Sequence, residues 1–153
     1  LRLVITIIKV NRDLERIGDE AAKVARQAVQ LSEGGMSPSS FVEIRHIGAL
    51  VGVLLRQSLD AFARLDVTKA IEVVRGDAEV DKEYGSAMRS LVTFMVEDPR
   101  NIGAILNEMW ALRSLERIGD HACNIAEHVV YLVKGLDVRH GRLSELGEEA
   151  LDI

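Results

Sequence analysis

NRDLERIGDEAAKVARQAVQLSEG (residues 11–34) and LRSLERIGDHACNIAEHVVYLVKG (residues 112–135) are two versions of one segment, offset by 101 positions and identical at 12 of 24 aligned pairs. A repeat of this kind means that the chain is assembled from copies of one structural unit. The unit is helical. At about 100° per residue, Ala111, Leu115, Ile118, Ala122, Ile125, Val129 and Leu132 form one continuous apolar stripe. Glu116 and Asp120 lie together at its polar edge. Carboxylates four residues apart on a helix repel by about 0.2–0.5 kcal/mol, so the pairing works against the helix that carries it.

Outward from the repeat, the rest of the chain reads as helix too. The 153 residues are 48% hydrophobic with only two prolines, a composition that favours an all-α fold and is long enough for a core. A net charge of −5 argues against nucleic acid as a partner. Ile47 to Leu55 is the longest apolar run worth testing for a membrane, at half the length a crossing needs, and reads as a buried helix. The first residues do not show the sections of a signal peptide, and Cys123 is the only cysteine, which leads us to expect a reducing cytoplasm.

Leu1 already lies within an amphipathic pattern, which predicts a first helix to about Leu31 that stops at Gly34-Gly35. A second helix is expected from Ser40 to about Leu65, with Ile44, Ile47, Leu50, Val51, Leu54, Leu55, Leu59 and Phe62 inward. Asp66 caps a third, Val67 to Val96, whose inner face reads as Ile71, Val74, Ala78, Met88, Val92 and Met95, with a break at Asp98-Pro99. The fourth covers residues 101–134 and ends at Gly135. Residues 40–135 thus form an antiparallel three-helix bundle, because short connections reverse the direction of successive helices. Residues 136–153 read as a tail with one short helix near Leu143 to Leu151. Residues 1–34 match only the last helix of the bundle, so we expect them to be the end of an incomplete first bundle in a truncated chain. Its apolar residues Leu3, Ile7, Val10, Leu14 and Ile17 would seek cover on the second bundle or on another copy, giving a homodimer.

A further acidic pair, Asp77 and Asp81, lies on the third helix. Counted from Pro99, Asp81 is 18 residues before and Glu116 17 after, and Asp77 is 22 before and Asp120 21 after. Residues equidistant from a hairpin turn share a level, so the two pairs should face each other. Gly119 and Gly85 beside them would let the helices approach. Four carboxylates at one level call for a cation or a proton. Oxygen ligands suit magnesium, calcium or manganese, and bridging carboxylates also hold iron or zinc. The plainer reading is a solvated face in which Arg113 and Arg117, three residues before Glu116 and Asp120, form ion pairs. The residues alone leave both open. Catalytic settings are lacking: no Glu-x-x-His faces the core as in a di-iron oxidase, His121 and His128 read as exposed surface histidines, and Cys123 reads as a small core residue. The enzyme-class alternative is a carboxylate-bridged metallo-oxidase or hydrolase.

The double LERIGD segment, LERIGDEAAKVA and LERIGDHACNIAEHVVYLVKG, resembles the repeated signature of the PhoU family of phosphate transport regulators, and the likeness spans essentially the whole chain. The resemblance implies tandem three-helix bundles and a non-enzymatic cytoplasmic adaptor, held at the inner membrane through its partners. It implies negative regulation of the phosphate-starvation response by linking the ATPase subunit of a phosphate ABC transporter to a membrane sensor histidine kinase. The family's acidic motifs, which hold divalent or multinuclear metal ions, map onto Glu15 and Asp19, Asp77 and Asp81, and Glu116 and Asp120. Where the second copy has Asn124 and Glu127 on the acidic side, the first has Lys23 and Arg26, a departure that weakens the first copy as a metal site. An accessory domain of a sodium-phosphate cotransporter is the related alternative.

Overall fold

A computed structural model of the chain describes residues 1–34 and 41–135. Among them are four long helices and no strand: α1 (Arg2–Glu33), α2 (Val42–Arg64), α3 (Val67–Glu97) and α4 (Ile102–Lys134), with a 3-10 turn at Pro99–Asn101 between the last two. The fold is all-α, as the periodicity predicts. The expected short helix near Leu143 to Leu151 and the start of the second helix at Ser40 lie outside the described residues.

The helix ends follow local chemistry. The Asp66 carboxylate accepts the Lys69 backbone N–H at 3.0 Å and opens α3. Asp98 accepts the Arg100 N–H at 3.2 Å and starts the turn that Pro99 continues. Gly135, at φ 72°, closes α4 in the left-handed conformation that glycine adopts at least cost. Leu65 closes α2 at φ 53° without that advantage.

Helices α2, α3 and α4 pack around one core, and α4 is its centre. Its stripe from Ala111 to Val129 is buried as read from the sequence, and so are Leu112, Ala126 and Val130, because α4 is covered on a second side by α1. The α3 core is made by Ala70, Ile71, Val73, Val80, Ala87 and Leu91. The predicted inward Ala78 and Val92 instead face solvent, and Leu59 of α2 stands at the exposed edge. Both partners of α3 lie to one side of the face that a single-stripe reading selects.

The first helix does dock on the bundle, and of the expected face Val10 and Ile17 are buried. Leu3, Ile7 and Leu14 remain 52%, 50% and 39% exposed. The face against α4 is Thr6, Val10, Asp13, Ile17, Glu20 and Leu31, which are buried, with Val24 and Gln27 half-buried between them. This is a heptad: 6, 13, 20 and 27 are polar, whereas 10, 17, 24 and 31 are apolar. Each fully buried aliphatic of the set contributes about 1.5–3 kcal/mol. The polar half must find partners on α4.

Candidate functional site

Two clusters of charge flank α4. The first lies between α3 and α4, where the hairpin count places it. An added Cβ on Gly119 would stand 3.3 Å from Asp77 Oδ1 and 3.6 Å from Val80 Cγ1, so glycine at 119 is what lets α3 bring Asp77 against α4. Gly85 has no such role: its added Cβ would meet only Arg89 of its own helix. Asp77 is half-buried, and burial together with the charges of Asp81, Asp120, Glu116 and Glu127 pushes its carboxyl up to about 6. Burial and Asp120 raise Glu116, against the pull of Arg113. Burial and Asp81 raise Asp120 in the same way.

The four sequence-predicted acids therefore share one electrostatic field, and Glu127 extends it by about two turns along α4 beyond Asp120. Among the described residues the cations answer Asp77, Asp81, Glu116 and Asp120 incompletely. Arg113 pairs with Glu116 at 2.9 Å, as the ion-pair reading requires. Arg117 turns away from Asp120 and pairs with Glu20 of α1 at 3.4 Å. Among the described residues no three His, Cys, Asp or Glu side chains converge on one point as a ready cation cage. What the arrangement offers is a carboxylate-rich patch of excess negative charge, with Asp77 and Glu116 half-buried and Asp81 and Asp120 exposed, in which a proton and a cation compete for the same place. Its oxygen-only donors fit a hard divalent ion in chemistry. Cys123 borders this patch rather than the core, and burial and the neighbouring acids push its thiol up, so it stays protonated and inert.

The equivalents in the first copy, Glu15 and Asp19, are not brought to any second acidic pair. Both are exposed, and Arg16 lies 3.9 Å from Asp19.

The second cluster is the seam between α1 and α4, which run antiparallel. The sequence reading of His121 and His128 as exposed surface residues is overturned here: their side chains are 18% and 13% exposed and both meet Asp13. His121 Nδ1 lies 2.9 Å from Asp13 Oδ1 and His128 Nε2 lies 3.2 Å from Oδ2. Asn124 donates from Nδ2 to Asp13 Oδ1 at 3.3 Å, so it serves the seam and not the acidic side to which its position assigns it. Burial works to raise the Asp13 carboxyl, but the bonds from His128, His121 and Asn124 outweigh it and hold Asp13 below the usual carboxylate range. An ionised Asp13 only accepts, so each ring presents an N–H to it.

One heptad further along, Glu20 is buried against Ser114 and Arg117 and receives Lys23 Nζ at 2.8 Å. Burial again acts to raise its pKa, and these donors more than reverse that. The seam has an approximate two-fold relation: Asp13 meets residue 121, which is 20 + 101, and Glu20 meets residue 114, which is 13 + 101. Asp13 and Glu20 were missed because their partners are a hundred residues away. The polar heptad of α1 was the signal for them.

The family model described as the PhoU domain matches residues 1–28 and 44–129. The chain is 60% identical over 149 residues to a phosphate-specific transport system accessory protein PhoU homolog of Pseudomonas aeruginosa, covering 97% of this chain and 62% of that protein. It is 43% identical over 140 residues to the phosphate-specific transport system accessory protein PhoU of Escherichia coli, covering 92% and 58%. The crystal structure of PhoU from Pseudomonas aeruginosa matches with a TM-score of 0.86 at 60% identity, over 89% of this chain and 65% of that one. The chain thus spans about 60% of the length of the curated relatives it matches.

Proposed function

The chain belongs to the PhoU family, and on that premise we propose that it is the major part of a non-enzymatic regulator of phosphate transport. It acts as a cytoplasmic adaptor between the ATPase subunit of a phosphate ABC transporter and a membrane sensor histidine kinase, repressing the starvation response when phosphate is plentiful. Its relatives are accessory proteins of a phosphate-specific transport system, which supports the role. No described helix is long and apolar enough to cross a membrane, which fits attachment through partners. The apolar stripe left exposed on α1 by Leu3, Ile7 and Leu14 suits association with a second copy.

The observation that carries the reading into chemistry is the facing of Asp77 and Asp81 by Glu116 and Asp120 on α4 with too few cations to balance them. In this proposal those four carboxylates, with Glu127 beside them, hold a divalent ion such as magnesium or manganese, or a multinuclear iron or zinc group. Glu15 and Asp19 of the first copy would need acids from elsewhere. A bound ion supplies positive charge, and the carboxylates hold it while Arg113 keeps Glu116 oriented. Loss of the ion would leave α3 and α4 repelling each other at the level of Gly119, so metal occupancy is coupled to the packing that partners meet.

The test uses the full-length protein and the Glu116→Ala/Asp120→Ala double variant. Elemental analysis should find stoichiometric metal in the former and little in the latter at equal helicity. In cells lacking their own family member, the former should restore repression of phosphate-starvation genes at high phosphate and the double variant should not. Unchanged metal content in the variant would overturn the site. Failure of the intact protein to restore repression would overturn the regulatory role.

A further inference from the structure

Beside the Asp13 network, α1 and α4 enclose a cleft of about 380 Å³ that the metal patch does not touch. Its floor is Asp13 with His121, Asn124 and His128. Its wall is Lys9, Arg12 and Arg16, which at spacings of three and four residues stand on one face of α1. The chain carries a net charge of −5, yet this cleft gathers three cationic side chains and one carboxylate.

That carboxylate is already committed. Asp13 receives three donors from α4 and is only 8% exposed, so it cannot also neutralise the wall. Arg16 has one loose, exposed partner, Asp19 at 3.9 Å. Lys9 lies over the Tyr131 ring at 5.5 Å, which positions its ammonium without neutralising it. Arg12 is exposed and has no ion-pair partner among the described residues. The result is a concavity with two forked guanidiniums and one point charge, above a floor whose acid has been masked.

We propose that this cleft is a binding site for a multiply charged phosphoryl oxyanion, free or carried on a small phosphorylated molecule. Guanidiniums match such oxygens two at a time, and lysine adds a mobile charge. A carboxylate ligand would balance one of the three cations, whereas a phosphoryl dianion or a pyrophosphoryl group balances most of them. The cleft lies in the lower part of the size range of small-molecule sites and exceeds the needs of one phosphoryl group, which leaves room for the remainder of an ester. The inference stands on the cleft alone and does not depend on the metal patch.

The test is titration calorimetry on the full-length protein at constant ionic strength, with a chelator present so that no metal-bound phosphate contributes. The probes are inorganic phosphate and pyrophosphate. Saturable binding at about 1 mM or below is expected for at least one of them. Saturation by phosphate identifies the free ion as a sufficient ligand, and saturation by pyrophosphate alone points to a phosphorylated molecule. The Arg12→Gln/Arg16→Gln variant, altered only at exposed positions, should unfold at the same temperature without ligand and bind at least about tenfold more weakly. Arg64→Gln/Arg75→Gln, which removes the same charge elsewhere, should bind as the unaltered protein does. Absence of saturable binding by either probe, or an equal loss in both double variants, would overturn the proposal.

Discussion

Glu108→Gln should make the protein more stable at pH 8 than at pH 5 relative to the unaltered chain. Glu108 lies in the core of α4 at 3% exposure, and its Oε1 has no hydrogen-bond partner among the described residues. Burial, with the charge of Glu43 on α2 added, pushes its carboxyl up from 4.5 to about 7. A carboxyl raised by folding contributes its full share of stability below 4.5, where both states hold the proton. That share is lost as the pH rises through about 7 and the buried group must ionise. The interval is about 2.5 pH units at about 1.4 kcal/mol each, which sets a ceiling of about 3.5 kcal/mol. Glutamine has nearly the same shape and the same unmet hydrogen-bonding capacity, so the comparison isolates the charge. Urea unfolding at the two pH values should show the difference between variant and parent widening by about 2–3 kcal/mol, most of it between pH 5 and 7. In thermal unfolding this corresponds to about 5–10 °C for a chain of this size. A difference that stays constant with pH, or narrows toward pH 8, would refute the reasoning by showing that Glu108 finds water or a cation in solution.

Two further outcomes test the backbone. Gly119→Ala gains about 1 kcal/mol of helix propensity but places a Cβ 3.3 Å from Asp77 Oδ1, so the carboxyl must move. Manganese should raise the melting temperature of this variant less than that of the parent, whereas Gly18→Ala, with nothing within 4 Å, should simply stabilise. An undiminished manganese effect in Gly119→Ala would remove the close approach from the account. Leu65 holds φ 53° at the end of α2 and is 47% exposed, so Leu65→Asn should stabilise by about 0.5–1 kcal/mol in urea unfolding. A loss of stability there would mean that the Leu65 side chain packs more than its exposure suggests.

The helices and the facing acids were legible because both depend on short-range rules. Periodicity marks a helix, and one turn at Pro99 fixes which residues of α3 and α4 share a level. Asp77 against Gly119 follows from counting. Nothing comparable fixes the α1–α4 seam, whose partners are about a hundred residues apart, so His121 and His128 looked like surface decoration and Asp13 went unremarked. The apolar face of α1 misled in part: Val10 and Ile17 are buried as read, but a line of polar residues completes the contact and Leu3, Ile7 and Leu14 do not. On α3, Val92 and Ala78 fit a plausible stripe, yet packing against two helices selects Val73, Val80 and Leu91.

The seam has one more consequence, for what it refuses. Its two halves are copies of one segment, yet the acids have been sorted onto α1 and the histidines, with Ser114 and Asn124, onto α4. Since position 13 faces the equivalent of position 20, two α1 helices placed in the same relation would set Asp13 against Glu20 at both ends, where Glu20 keeps Lys23 of its own helix but Asp13 loses all three of its donors. Two buried Asp13 carboxylates would then lack partners, at a cost of several kcal/mol for each uncompensated charge. The sorting acts as a mating code. It lets α1 recognise the other copy of its own motif and reject itself, so that a tandem array of related helices closes on one partner and does not polymerise through the shared face.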